Sequence, residues 1–226
     1  MTDFAAIVLA GGAARRMGGA DKPARPVAGR PMLCRVLAAV VDATPRVVVG
    51  AADGLPHGVL QTRERPAGAG PVAATAAGMA MLGPATATVA LLAADLPLLT
   101  ADAIGALRRA AAAGEADGAC YVDEGGRLQS LCGVWRVRAL RRALDELAAA
   151  REAGLAAARD AGAAAGRDAG AVTDREAALA GASVKALLAG LAVTPVPWAG
   201  HGLPPWFDCD TDEDLRRVEE WTREHA

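Results

Sequence analysis

Aromatic residues are nearly missing from this chain. Two Phe, one Tyr and four Trp make up 3% of its 226 residues. Its hydrophobic share, 53%, therefore predicts a core of Ala, Val and Leu. Charge of one sign is also missing: 24 basic residues face 26 acidic ones, a net charge of −2. That excludes the basic field of a general nucleic-acid binder, though not a single phosphate pocket. The four cysteines, Cys34, Cys120, Cys132 and Cys209, include no C-x-x-C pair, and the three histidines are scattered, so no zinc site is expected. No charged n-region, apolar core and cleavage site open the sequence, so the cysteines are expected as reduced thiols in a cytoplasmic protein. Cys34 and Cys132 lie in apolar surroundings that predict packing rather than chemistry. The stretch 66–94 carries no charge and is long enough to cross a bilayer. Pro71, Gly78, Gly83 and Pro84 interrupt it, so the reading is a helix followed by a buried strand, and no membrane partner.

Two familiar nucleotide loops are absent as well. No G-x-x-x-x-G-K-[ST] occurs anywhere, and the first glycine-rich turn does not carry G-x-G-x-x-G, which disfavours a dehydrogenase. What is there instead is Leu9-Ala10-Gly11-Gly12-Ala13-Ala14-Arg15-Arg16-Met17-Gly18-Gly19-Ala20-Asp21-Lys22, directly after the strand-like run from Phe4. Glycines there let the backbone approach an anion closely, and the amide groups of such a loop can form a concave anion nest. Arg16 would add a planar fork and Lys22 a point charge.

Strand-like and helix-like segments alternate along the chain. Strands are expected at 4–10, 46–49, 59–62, 88–93, 119–122, 130–135 and 193–197. Helices are expected at 31–41, 72–82, 101–113, 137–150, 183–191 and 212–224, with Thr100 and Thr211 as N-caps. This alternation predicts one domain over 1–226: a three-layer α/β sandwich with a Rossmann-like, mainly parallel sheet and helices on both faces. The segment 151–178 is rich in Ala, Gly, Arg and Asp, and R-D-A-G recurs within it. It reads as a surface insertion, partly helical or mobile, with Gly weakening any helix by about 1 kcal/mol relative to Ala.

In such a sheet, ligands bind beyond the carboxyl ends of the strands, where the first loop and Asp95 would both sit. Asp95 follows the apolar run Val89-Ala90-Leu91-Leu92-Ala93-Ala94 and precedes Leu96-Pro97. A carboxylate there is costly without a partner, and a hard cation such as Mg²⁺, which shares its positions with phosphate oxygens and water, is the natural one. Asp208 and Asp210, two residues apart, share a face if that stretch is extended, and either could be a second ligand. Gly70 and Pro71 form a flexible turn into a helix, with Pro at a tolerated position.

The first loop resembles the signature LAGG-x-x-x-RMG-x-x-DK of nucleotidyltransferases similar to the molybdenum cofactor guanylyltransferase, with Ala14 where many relatives carry Ser. Asp95-Leu96-Pro97 resembles the metal-binding D-x-P motif of that family. Asp208 to Leu215 resembles its closing N-T-P-E-D-L element, with Asp210 for a frequent Asn and Asp212 for a frequent Pro. Gly70-Pro71-Val72-Ala73-Ala74 resembles G-P-L-x-G, and Gln129 to Trp135 resembles the strand that faces the acceptor.

The resemblance implies Arg16, Lys22 and Asp95 as catalytic residues and Leu9, Ala10, Gly11, Gly12, Arg16, Gly18, Lys22, Gly70, Pro71 and Asp95 as nucleotide contacts. It implies Mg²⁺ held by Asp95 with Asp210. It further implies transfer of GMP from GTP to molybdopterin with release of pyrophosphate, and transient contact with other cofactor-biosynthesis proteins. Two other readings stand beside it: a CTP-dependent cytidylyltransferase or other sugar- or alcohol-phosphate nucleotidyltransferase of the same fold, and a catalytically silent nucleotide- or partner-binding module.

Overall fold

Every residue of the first strand, β1 (Phe4–Leu9), is buried, and the strand is flanked on both sides. In the computed structural model, which describes residues 4–11, 22–162 and 175–225, β1 pairs in parallel with β4 (Arg46–Val49) and with β6 (Thr88–Ala93). The remaining strands are the two-residue β2 (Pro26–Val27) and β3 (Arg30–Pro31), then β5 (Val59–Thr62), β7 (Gly118–Val122), β8 (Leu128–Arg136) and β9 (Val193–Pro197). Among the described residues the main sheet has seven strands in the order β5-β4-β1-β6-β8-β7-β9. Only β8 runs against its neighbours β6 and β7. The mainly parallel sheet expected from the alternation is therefore present, with β2 and β3 forming a small separate hairpin.

Successive side chains of a strand point to opposite faces, and β1 supplies both layers of the core this way. Ala5, Ile7 and Leu9 pack under α2 (Pro71–Ala80), α4 (Val137–Gly162) and α6 (Val184–Leu188). Phe4, Ala6 and Val8 pack under α1 (Met32–Ala39) and α3 (Ala101–Ala112). A third, smaller cluster lies apart from both. Val27, Met32, Cys209 and Val218 hold the β2–β3 hairpin against α7 (Asp212–Glu224) and the segment before it. The ion pair between Arg25 and Asp212 joins the same two pieces.

Both predicted caps are present. The Ala103 amide donates to Thr100 Oγ1 at 3.2 Å. Thr211 and Asp214 form a reciprocal capping box, at 3.1 Å from the Asp214 amide and 2.8 Å from the Thr211 amide. The helix expected at 137–150 runs on to Gly162, because the alanines that follow favour helix strongly enough to carry Gly154. Arg151 anchors that helix by donating to the carbonyls of Ala178 and Ala180, each at 2.7 Å. Ala178 closes the short α5 (Arg175–Ala178) and is buried in the core with Leu179. Trp135 is fully buried, as expected of a core residue.

Candidate active site

The sheet order reverses at β1: the chain moves from β1 to β4 on one side and later returns to β6 on the other. Open α/β sheets bind ligands in the crevice beyond the strand ends at such a point. A cavity of about 370 Å³ lies there.

Several residues picked out in the sequence line this cavity. Leu9, Ala10 and Gly11 line it from the end of β1, Gly70 and Pro71 from the start of α2, and Asp95 from just past β6. Asp208 and Asp210 line it from the segment before α7. The departing loop is pinned to both neighbouring strands. The Ala10 amide donates to the Val49 carbonyl at 2.8 Å, and the Ala94 amide donates to the Leu9 carbonyl at 3.1 Å. Gly12, Arg16 and Gly18 lie outside the described residues. Lys22 begins a short 3-10 turn, Lys22–Ala24, whose Pro23 lines the cavity.

Two glycines are dictated by the backbone here. Gly70, at the N-cap of α2, has φ 98°, which side-chain-bearing residues rarely adopt. Gly50, just past β4, has φ +135°, and a Cβ on it would stand 2.7 Å from the Ala10 carbonyl carbon and 2.9 Å from the Gly11 nitrogen. The chain after β4 thus lies directly against the first turn of the loop. Gln61 secures that chain by donating to the carbonyls of Gly50 and Ala52, both at 3.0 Å.

Asp95 is half-buried, and its main-chain carbonyl accepts from the Cys209 amide at 3.2 Å. Together with Asp208 and Asp210 it presents an oxygen-only set of donors to the cavity. Among the described residues no three His, Cys, Asp or Glu side chains are gathered tightly enough to hold a metal by themselves. A hard cation that shares its coordination with phosphates and water needs only one or two carboxylates, so the donor set fits Mg²⁺. No lysine or arginine lines the cavity among the described residues. Polyphosphate bound beside these carboxylates would need positive charge from a cation and from the glycine-rich loop.

Beside the Gly70-Pro71 motif, the sequence lets Glu64 and Arg65 touch base or phosphate, and of the two Glu64 lines the cavity. It is only 8% exposed and accepts the Gly68 amide on Oε1 at 2.9 Å. Its carboxylate lies against Gly11, 3.7 Å from where a Cβ would stand. The available signal was that Glu64 is the sole acidic residue between Asp53 and Asp95. Gln129, Ser130, Leu131 and Cys132 of β8 and Trp206 also line the cavity. Trp206 is held by Tyr121, ring centroids 4.9 Å apart, and by Trp198 at 6.0 Å.

Residues 6–165 match the family model described as a MobA-like NTP transferase domain. The chain belongs to this family. It is accordingly a nucleotidyltransferase, and the cavity at the reversal of the MobA-like sheet is its candidate active site. A molybdenum cofactor guanylyltransferase of Bradyrhizobium sp. (strain ORS 278) is 36% identical over 222 residues, 94% of this chain and 90% of that protein. Two solved structures share the fold at low identity. One is molybdopterin-guanine dinucleotide biosynthesis protein A of Archaeoglobus fulgidus, with TM-score 0.58 and 18% identity over 97% of this chain and 98% of that one. The other is the 2-C-methyl-D-erythritol 4-phosphate cytidylyltransferase of Thermus thermophilus, with TM-score 0.58 and 21% identity over the same shares. The fold is thus shared with proteins named for molybdopterin-guanine dinucleotide synthesis and for cytidylyl transfer. Among the described residues no helix is long and apolar enough to cross a membrane.

Proposed function

We propose that this chain transfers GMP from GTP to molybdopterin in the cytoplasm, with Mg²⁺ as its metal. The relative from Bradyrhizobium, 36% identical over most of both chains, supports the substrates. The observation that carries the choice of base is the buried Glu64 carboxylate beside Gly11. A guanine edge offers two adjacent donors, N1–H and the 2-amino group, to the two oxygens of one carboxylate. Cytosine offers a single amino donor. With one oxygen already accepting the Gly68 amide, the acceptor positions that Glu64 has left are matched better by guanine's two donors than by cytosine's one, which supports GTP.

The reaction needs no nucleophilic side chain. A phosphate oxygen of the acceptor attacks the α-phosphorus, the bond from that phosphorus to the bridging oxygen breaks, and the electron pair leaves with pyrophosphate. Positioning and electrostatics do most of the work in phosphoryl chemistry. By the resemblance, the loop from Gly11 to Gly19 would take the phosphates, and Arg16 and Lys22 would neutralise charge that builds on the α-phosphoryl group and the leaving pyrophosphate. Asp95, with Asp210, would hold Mg²⁺, which when bound polarises the phosphoryl oxygens. Gln129 and Ser130 of β8 border the space open to the acceptor.

Calorimetric titration with GTP, CTP, ATP and UTP, each with and without Mg²⁺, tests this reading. GTP-selective binding strengthened by Mg²⁺ is expected. Glu64→Gln replaces one acceptor by a donor and should cut the preference for GTP over CTP about tenfold or more. Tighter binding of CTP by the unaltered protein would replace the base and keep the fold.

A further inference from the structure

The carboxylate at Asp95 and the chain leaving the glycine-rich loop belong to different parts of the fold, and transfer requires them in fixed register. One side chain hydrogen-bonds to both segments. Arg35, on α1, donates from Nε to the Pro97 carbonyl at 2.8 Å and from Nη1 to the Val27 carbonyl at 3.4 Å. Pro97 lies two residues past Asp95, and Val27 lies in the hairpin that follows the turn begun at Lys22.

We infer that Arg35 is a positioning residue for nucleotidyl transfer, its guanidinium holding the Asp95 turn and the exit of the glycine-rich loop at a fixed separation. It does not line the reaction cavity and acts only through those two segments. The planar fork matters because two carbonyls of separate segments must be served by one rigid group, which a lysine ammonium on its flexible stem does not reproduce. Cys209 also ties the two pieces, its amide on the Asp95 carbonyl and its side chain packed with Val27 and Met32, whereas Arg35 joins them by polar contacts of one side chain. Holding a cation at this half-buried place has a cost: burial first, and Arg30 second, draw the Arg35 guanidinium below its ordinary pKa. Pro97 and Val27 offset that cost as acceptors.

Arg35 also borders a second cavity, of about 800 Å³, lined as well by Pro97, Leu98, Trp198 and Trp221. This gives a small cation a route to the space that truncation of Arg35 would open.

The inference rests on Asp95 as a reaction-site carboxylate, and the test separates the two. In Arg35→Ala, kcat should fall about 10- to 100-fold, the effect of a misplacement near 1 Å, while the KM for the nucleotide moves less than about threefold. Guanidinium chloride at millimolar concentration, far below the denaturing range, should restore part of the lost kcat, and sodium chloride at equal ionic strength should not. Arg35→Lys, which keeps the charge and the stem, should show the same split between kcat and KM with a smaller loss. It also serves if the alanine variant does not fold. A kcat within about twofold of the unaltered protein in Arg35→Lys and in any folded Arg35→Ala would overturn the inference. So would a loss in a folded Arg35→Ala that guanidinium leaves untouched. If Asp95→Asn turns over normally, the reading of Asp95 fails. If it is inactive and the Arg35 variants are normal, the inference about Arg35 fails alone.

Discussion

The main-chain amide of Cys209 donates to the carbonyl of Asp95 at 3.2 Å. One hydrogen bond thereby brings the residues on either side of Cys209, Asp208 and Asp210, to the edge of the sheet where β6 ends. Both carboxylates line the same cavity as Asp95 although nearly the whole second half of the chain separates them in sequence.

The carboxylates can be separated by amide substitution. Asp95→Asn should abolish Mg²⁺-dependent turnover, a loss of about 100-fold or more, because a metal's polarisation of phosphoryl oxygens is worth several kcal/mol. Asp210→Asn should be impaired more than Asp208→Asn. Turnover measured against Mg²⁺ concentration, with melting temperature as the control for folding, checks this. A larger defect in Asp208→Asn would move the second ligand to that residue.

Gly50 should not tolerate a side chain. Its φ of +135° disfavours any other residue, and a Cβ would meet main-chain atoms of Ala10 and Gly11, which cannot swing aside as a flexible side chain would. Gly50→Ala should lower stability by about 1–3 kcal/mol and weaken GTP binding together, since the first turn of the loop must shift. Urea unfolding and nucleotide calorimetry on the same sample test the pairing. Unchanged GTP affinity in a destabilised protein would show that the contact supports the fold and not the loop.

Alkaline pH should destabilise the fold through three buried groups. Burial pushes the Cys120 thiol from 9.0 up to about 11, partly countered by a backbone hydrogen bond at Gln129. Burial, then Cys132, pushes the Tyr121 phenol from 10.0 up to about 12, partly countered by Arg109. Burial, then Cys120, pushes the Cys132 thiol higher still. Each group stays protonated in the folded chain where the unfolded chain has already ionised. Stability from these groups is therefore full below the ordinary values and lost as pH rises, across 9.0 to about 11 for Cys120 and 10.0 to about 12 for Tyr121. Urea midpoints followed from neutral pH upward should fall through these windows. Cys120→Ala with Cys132→Ala should flatten the fall, and an identical slope in that double variant would rule these thiols out as its source.

What could be read without coordinates was local. β1 and its glycine-rich exit, the strand ending at Asp95, and the caps Thr100 and Thr211 each depend on neighbours within a few residues. The β2–β3 hairpin could not be read, because strands of two residues carry no period. Nor could the full length of α4, where Gly154 looked like an interruption. Glu64 appeared as one charge in a loop, and its burial comes from packing against the start of another strand's exit turn. Arg35 appeared as a polar position on an amphipathic helix, while its main partner lies 62 residues away. Asp95, Asp208 and Asp210, which line the cavity, were visible through their motifs. The residues that hold them in place were not, because their partners are set only by the tertiary fold.

The placement of α7 has a consequence for how the molecule comes into being. On the ribosome β1 emerges early, and its glycine-rich turn with it, but the carboxylates at Asp208 and Asp210 follow only after both core layers have been made. Their docking depends on the small cluster of Val27, Met32, Cys209 and Val218, which pairs one of the earliest hairpins with the last helix. The cavity wall made by Asp208 and Asp210 is thus the last part of its lining to be synthesised.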